Sequence, residues 1–291
     1  MKEIVVISGK GGTGKTSVTC ALAFIDPVNL VLADCDVDAA DVHLIMKPTA
    51  KTSDDFYSGI KAVIDSKKCI SCGACARVCR FDAISITGSS YAVNPLDCEG
   101  CGYCYQVCPE QAIELPIQKV GNCYTSVTRI GSQMVHAKLG IGADNSGKLV
   151  AKVKKDAKAI AEQTNKSFIL VDGSPGIGCP VISSLSGADY ALLVTEPTIS
   201  GLSDLQRVFQ LTAKFRIPTG CIINKADLNP DVARQIIEYL NVSGIKHIAN
   251  IPYDEDFSKA ITLGKSLVEY NPNKWLPLFQ NIWQLLSKET L

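Results

Sequence analysis

Near its start the chain carries Gly9-Lys10-Gly11-Gly12-Thr13-Gly14-Lys15-Thr16, which fits G-x-x-x-x-G-K-[ST], between an apolar run, Ile4–Ser8, and a segment of helical periodicity, Lys15–Phe24. That placement constrains the fold more than any other feature. A glycine-rich turn leaving a buried strand lets backbone N–H groups approach phosphate oxygens, and the helix that follows turns its positive end toward them. Lys15 is then expected at the β/γ-phosphates and the Thr16 hydroxyl at Mg²⁺. Further short apolar runs are Leu30–Asp34, Phe168–Asp172, Ala191–Thr195, Cys221–Asn224 and Ile248–Pro252. Between them lie the helical patterns Val153–Gln163, Ser203–Phe215, Pro230–Leu240 and a C-terminal stretch from Trp275 to Ser287. Strand then helix, repeated, predicts an α/β P-loop NTPase fold, a mostly parallel sheet flanked by helices.

The alternation stops between about Lys61 and Leu115, where cysteines crowd in. Cys69, Cys72, Cys75 and Cys79 reappear 29 residues later as Cys98, Cys101, Cys104 and Cys108, and Ala83-Ile84 reappears as Ala112-Ile113. An internal repeat of this kind reads as a small domain set into a loop of the larger one. The expected organisation is a discontinuous nucleotide-binding domain, 1–60 and 118–291, around an inserted α+β domain, 61–117. A length of 291 residues and a 46% hydrophobic share suit two such domains.

Charge and terminal sequence narrow the function classes. Lys and Arg total 29, as do Asp and Glu, so a strongly basic nucleic-acid binder is not expected. The Met1–Ser8 stretch has neither a secretory h-region nor a membrane span, and no run reaches the ~18 apolar residues of a transmembrane helix. A cytoplasmic protein is expected, and thirteen cysteines there point to metal before disulfides.

Two carboxylate positions complete the phosphate machinery. Asp172 ends an apolar run as a Walker B carboxylate does, facing the Mg²⁺ shell. Asp34, Asp36 and Asp38 follow another run; one is a candidate to position the attacking water, the others being loop carboxylates or helix caps.

The loop with its extra early lysine, the Asp34-Cys35-Asp36 segment and Asp172-Gly173-Ser174-Pro175-Gly176 together resemble the ParA/MinD family of deviant Walker A ATPases, over most of the chain outside the insert. The resemblance implies that Lys10 reaches a partner's phosphates across an ATP-bound homodimer, or across a pair with a homologous ATPase. It also implies that Asp36 orients the hydrolytic water and that Asp172 to Gly176 forms a switch. The catalytic set is then Lys10, Lys15 and Asp36, with Thr16, Asp36 and Asp172 toward Mg²⁺. The nucleotide set is Gly11, Gly12, Thr13, Gly14, Lys15, Thr16, Thr195, Asn224 and Pro252. Base identity has two readings. Asn224-Lys225-Ala226-Asp227 matches the guanine-reading N-K-x-D, whereas the resemblance implies ATP/ADP, with the Asn224 amide and the backbone near Pro252 along the adenine; ATP is the expectation, Asp227 serving as a cap for the helix near Pro230.

The cysteine spacing C-x₂-C-x₂-C-x₃-C, twice, resembles the two-cluster bacterial ferredoxin. In that pattern the fourth cysteine of each run turns to the other cluster. Cys69, Cys72, Cys75 and Cys108 would hold one [4Fe–4S] cluster, and Cys98, Cys101, Cys104 and Cys79 the second. Paired C-x₂-C also builds Cys₄ zinc sites, but triplets plus one favour clusters. Arg80 stands where the pattern has proline; Pro109 keeps it. Two clusters, each about −2 with its thiolates, would take the formal charge from zero to about −4.

Five other cysteines remain, Cys20, Cys35, Cys123, Cys179 and Cys221; Cys20 and Cys221 fall in helix and strand patterns and read as packed thiols, while Cys35 and Cys179 lie beside the two expected nucleotide switches, Asp34 to Asp38 and Asp172 to Gly178. His43, His136 and His247 lack ligand spacing. The stretch Trp275–Leu286 is amphipathic, but its polar face is Gln and Asn rather than basic, so packing on the sheet is expected and membrane association is not. These readings converge on a dimerising ATP switch coupled to electron transfer, with a redox protein as partner. The alternative is an iron–sulfur or metallocofactor assembly ATPase with an assembly partner.

Overall fold

The apolar runs Leu30–Asp34, Phe168–Asp172 and Tyr190–Thr195 become strands because, covered by helices on both faces, they bury every residue. A computed structural model describes residues 1–140 and 145–290. Along the chain it sets β1 (Lys2–Ile7), α1 (Lys15–Ile25), β2 (Leu30–Asp34), α2 (Val42–Met46) and a long β3 (Thr49–Ile60). Then come β4 (Val63–Ile64), α3 (Ala74–Val78), β5 (Ile84–Thr87), β6 (Ser90–Val93), α4 (Tyr103–Gln106) and β7 (Ile113–Glu114). The chain continues with β8 (Ile117–Val127), β9 (Gln133–Leu139), α5 (Ser146–Gln163), β10 (Phe168–Asp172), α6 (Cys179–Leu185) and β11 (Tyr190–Thr195). It ends with α7 (Ile199–Lys214), β12 (Thr219–Asn224), α8 (Pro230–Ser243), β13 (Lys246–Ile251), α9 (Asp256–Thr262), α10 (Leu267–Tyr270) and α11 (Pro272–Thr290).

The large sheet has the order β13-β12-β11-β1-β10-β2-β9-β8-β3. From β13 to β9 every neighbouring pair is parallel. β10 lies between β1 and β2 in a register that sets Asp172 opposite Asp34. Asp172 and Asp34 therefore end neighbouring strands on the edge where the phosphate loop leaves β1, the edge at which open α/β sheets bind ligands.

Two units emerge. The first comprises Met1–Asp54, Asn122–Leu139 and the chain from Ser146 on; the second comprises Asp55–Gly121 with Gly140 and Asn145. The changeovers fall within β3 and β8, not at the expected 60/61 and 117/118. Nothing apolar marks them, because β3 is largely exposed and carries Lys51, Asp54 and Asp55, charges of the kind that blunt a sheet edge.

In the first unit α1 and α11 are core helices. Trp275, Phe279, Ile282 and Leu286 are at most 1% exposed and share a cluster with Leu22, Leu32 and Leu170. Phe168 meets Trp283 edge-on, centroids 5.2 Å apart. The C-terminal amphipathic face is thus spent on the first unit's own core, and among the described residues no helix is long and apolar enough to cross a membrane.

The second unit builds its repeat into the backbone. Ser71, Gly73 and Asp82 have φ of 57, 71 and 50°, and Gly100, Gly102 and Gln111, each 29 positions on, have 65, 74 and 48°. α3 and α4 start from the equivalent left-handed Gly73 and Gly102. Cys75 and Cys104 lie buried beside Ala62, Ile84 and Ile113 in a small core.

His136 on β9 stacks on Tyr124 at 5.1 Å and its Nε2 is 2.9 Å from Ser126 Oγ. Burial, with a smaller push from His43, lowers its pKa from 6.5 to about 4. Below pH 6.5 the unfolded chain takes up a proton that the folded chain refuses until about pH 4, so stability drops as pH falls through that window. Urea melts between pH 7 and 4 should show this loss, and His136→Gln should flatten the slope.

Candidate phosphate and thiol sites

Glycine at position 14 is required twice over. It caps α1 in a left-handed conformation, φ 90°, and a Cβ there would fall 2.4 Å from Asn224 Nδ2. That amide nitrogen donates to Thr13 O at 2.8 Å, tying the loop to the end of β12. The other amide atom, Oδ1, accepts the N–H of Lys225 at 3.0 Å. The Asp172 to Gly176 segment is laced to the same edge: Gly173 N–H donates to Val6 O and Gly176 N–H to Ser8 O, both at 2.9 Å.

Lys15 is 6% exposed and its Nζ lies 2.9 Å from Asp172 Oδ2 and 3.6 Å from Asp36 Oδ2. Burial acts to lower its pKa, but the charges of Asp172, Asp36 and Asp34 prevail and raise it. Asp172 is fully buried; Thr16 Oγ1 donates to its Oδ2 and Thr19 Oγ1 to its Oδ1, each at 2.8 Å. Burial, then the neighbouring Asp172 charge, pushes the Asp34 carboxyl well up, and Asp34 Oδ2 has no hydrogen-bond partner. Burial also raises Asp36, against the pull of Lys15.

A cleft opens above this cluster, lined by Gly11, Gly12, Thr13, Gly14, Lys15, Thr16, Asp36 and Asn224. Its far wall is Tyr253, Phe257 and Ile261. Of the expected set, Asp172 lies beneath this floor, while Lys10, Thr195 and Pro252 are absent from the lining. Thr195 Oγ1 is turned to Gly201 O at 3.1 Å, and Lys10 Nζ is ion-paired to Glu196 at 2.7 Å. Asp227 does not cap α8: Asn229 does, accepting the Val232 N–H at 3.2 Å, while Asp227 accepts the Tyr253 N–H. Asn229 directly precedes Pro230 at the first position of α8, so it and not Asp227, two residues earlier, stands in the capping position.

Sequence reasoning missed Thr19, Glu196, Lys225 and the Tyr253–Phe257 wall. Thr19 was recoverable, since it sits one helical turn after Lys15 on the same face. Cys35 is buried, its N–H donating to Asp172 O at 2.8 Å and its carbonyl accepting the Ser174 hydroxyl at 2.7 Å. Cys179, the first residue of α6, is exposed.

In the second unit eight thiols border two small apolar cavities. Cys69, Cys72, Cys75 and Cys108 line one, with Ile64 and Ile113. Cys79, Cys98, Cys101 and Cys104 line the other, with Ala62 and Ile84. Each takes three thiols from one half of the repeat and one from the other. The Ala112 N–H donates to Cys108 Sγ at 3.3 Å. Backbone hydrogen bonds from the Tyr91 and Ser71 positions lower the Cys69 thiol, whereas burial raises Cys75 and Cys104. Among the described residues no three His, Cys, Asp or Glu side chains are gathered as one metal ion requires.

The pattern for the "CobQ/CobB/MinD/ParA nucleotide binding domain" matches residues 4–268. The chain belongs to this family. It is 35% identical over 262 residues to the uncharacterized protein MJ0578 of Methanocaldococcus jannaschii, covering 89% of this chain and 87% of that one. To the uncharacterized MJ0579 of the same organism it is 27% identical, covering 93% of each. Among solved structures it resembles the septum site-determining protein MinD complexed with Mg-ADP from Pyrococcus horikoshii OT3 (TM-score 0.59, 21% identity, 99% of this chain and 96% of that one). The MinC:MinD cell division protein complex of Aquifex aeolicus gives TM-score 0.59 at 16% identity, covering 100% and 97%. At these identities the likeness to the solved structures is one of fold, and a family member's nucleotide site is expected in the cleft just described.

Two substitutions test the geometry. Gly14→Ala should leave the circular dichroism spectrum intact and abolish binding of a fluorescent nucleotide, because the added methyl displaces Asn224 from the loop. Thr19→Val leaves Asp172 Oδ1 short of a donor and should lower urea stability by about 1–3 kcal/mol.

Proposed function

We propose that the chain is an ATP-binding and ATP-hydrolysing switch that dimerises and is coupled to one-electron transfer through two [4Fe–4S] clusters held by residues 61–117. The observation that carries the nucleotide half is the convergence of Lys15, Thr16, Asp36 and Asp172 at the floor of a cleft walled by Gly11–Gly14. In this reading the loop N–H groups take the phosphate oxygens, and Lys15 turns from Asp172 toward the β/γ-phosphates. Thr16, Asp36 and Asp172 are the oxygen donors that would hold Mg²⁺, a hard cation suited to this set, and when bound it would neutralise phosphate charge. Asp36 orients the attacking water, and ATP rather than GTP fits an Asp227 whose carboxylate is engaged by the Tyr253 N–H.

The redox half is supported by the two cavities. Each apolar cavity is bordered by three thiols from one half of the repeat and one from the other, the division that a two-cluster ferredoxin spacing calls for. Such clusters, when bound, exchange single electrons. Cys69, Cys72, Cys75 and Cys108 would hold one and Cys98, Cys101, Cys104 and Cys79 the other, with the Ala112 N–H directed at Cys108 Sγ. A cytoplasmic location, where thiols stay reduced, and a redox-protein partner belong to the same proposal. A second reading, a metallocofactor-assembly ATPase, is favoured by the exposure of Cys72 and Cys101, which would leave a cluster within reach of an acceptor.

The decisive measurement is an EPR redox titration of anaerobically reconstituted protein with and without Mg·ATP, alongside ATPase rates on oxidised and reduced samples. Coupling predicts a shift of at least about 60 mV, tenfold for one electron, and a rate difference between redox states; if neither moves, the coupling is refuted. Asp36→Asn should cut turnover by at least about 100-fold with nucleotide affinity retained. Cluster passage to an apo-acceptor on ATP addition would favour the assembly reading.

A further inference from the structure

Glu196 directly follows β11, the strand between β1 and β12 in the sheet. Its carboxylate carries one lysine on each oxygen. Lys10 Nζ is 2.7 Å from Oε1 and Lys225 Nζ is 2.7 Å from Oε2. The two lysines come from the loops that leave β1 and β12, so one side chain ties together the ends of three adjacent strands. Lys225 also donates to Gly12 O at 3.1 Å and adopts a left-handed φ of 55°, which aims it back at the phosphate loop. Lys10 donates to Ser200 Oγ at 3.0 Å and Thr198 Oγ1 at 3.3 Å, at the start of α7.

The Glu196 side chain is 14% exposed and the lysines about twice that, so the pairing is screened less than a surface ion pair. Burial pushes the Glu196 carboxyl up, but hydrogen bonds and charge from Lys10 and Lys225 outweigh it and hold it below the ordinary range. Two ammonium groups share one carboxylate, leaving a positive charge in excess beside the loop. An arriving phosphate competes with Glu196 for those ammonium groups.

We propose that Glu196 is a positioning residue for the phosphate loop, one that parks Lys10 against Thr198 and Ser200 of its own protomer, braces Gly12 through Lys225, and yields Lys10 when nucleotide phosphate competes for it. The inference rests on the nucleotide-switch reading above. It makes Lys10 a side chain held in reserve: present at the site's margin, absent from the cleft lining, and released by charge rather than by refolding of the loop. Removing the Glu196 charge should therefore help nucleotide binding through Lys10, whereas a residue of merely structural value would only weaken it.

The full-length chain is compared with E196Q, E196D, K10A and K10A/E196Q. In nucleotide-free protein, acylation of the Lys10 amine, followed by mass spectrometry, should run at least about 3-fold faster in E196Q, as for an ammonium released from a part-buried pair, and return toward the wild-type rate in E196D. With Mg²⁺, E196Q should bind a fluorescent ATP analogue about 3- to 10-fold tighter than wild type, and the same substitution should have no such effect in the K10A background. Unchanged acylation of Lys10 would overturn the proposal. So would an equal change in affinity with and without Lys10. If the wild-type chain binds no ATP at all, the switch reading fails, and the Glu196 contact is then decided by acylation alone.

Discussion

One buried carboxylate organises the first unit. Asp172 has no exposure, and a bare charge at that depth would be prohibitively costly. It is tolerated because Lys15 Nζ stands 2.9 Å away and the hydroxyls of Thr16 and Thr19 each donate to one of its oxygens. All three partners come from the first turns of α1. The charge at the end of β10 therefore dictates where the helix after the glycine loop must sit, and the loop is held open between the two. Asp34, opposite Asp172 in the sheet, adds a second carboxyl that burial drives toward its neutral form. The floor of the cleft is a crowd of acids arranged around one buried lysine.

Much of this was legible in the amino-acid order because it is local. Leu30–Asp34 and Phe168–Asp172 are continuous apolar runs closed by an acid, and both strands have those bounds. β8, β9 and β3 were not legible. β9 contains His136 and Lys138 among its apolar residues, β8 is broken by Gly121-Asn122, and β3 is a polar strand. Their strand character comes from pairing with neighbours, which no single segment records.

The site divides along the same line. Gly14, Lys15 and Thr16 carry their chemistry in a contiguous motif, whereas Glu196 and Lys225 acquire a role only when β11 and β12 bring them beside the loop. Asp227 shows the converse hazard: its motif suggested a cap or a base reader, and the fold gives its carboxylate to the Tyr253 N–H. A four-residue match reports composition, while the direction of a side chain depends on its neighbours in the fold, here the Tyr253 N–H 26 positions on.

The repeat in the second unit has its own logic. Each cavity borrows one thiol from the opposite half, Cys108 for the first and Cys79 for the second. Neither half owns a complete ring of sulfurs. Damage to one half, whether by deletion or by oxidation of a single cysteine run, takes sulfur from both cavities together, so the two halves are interlocked in their chemistry as two links of a chain are in space. A duplicated segment of this kind is barred from drifting into one working copy and one spare.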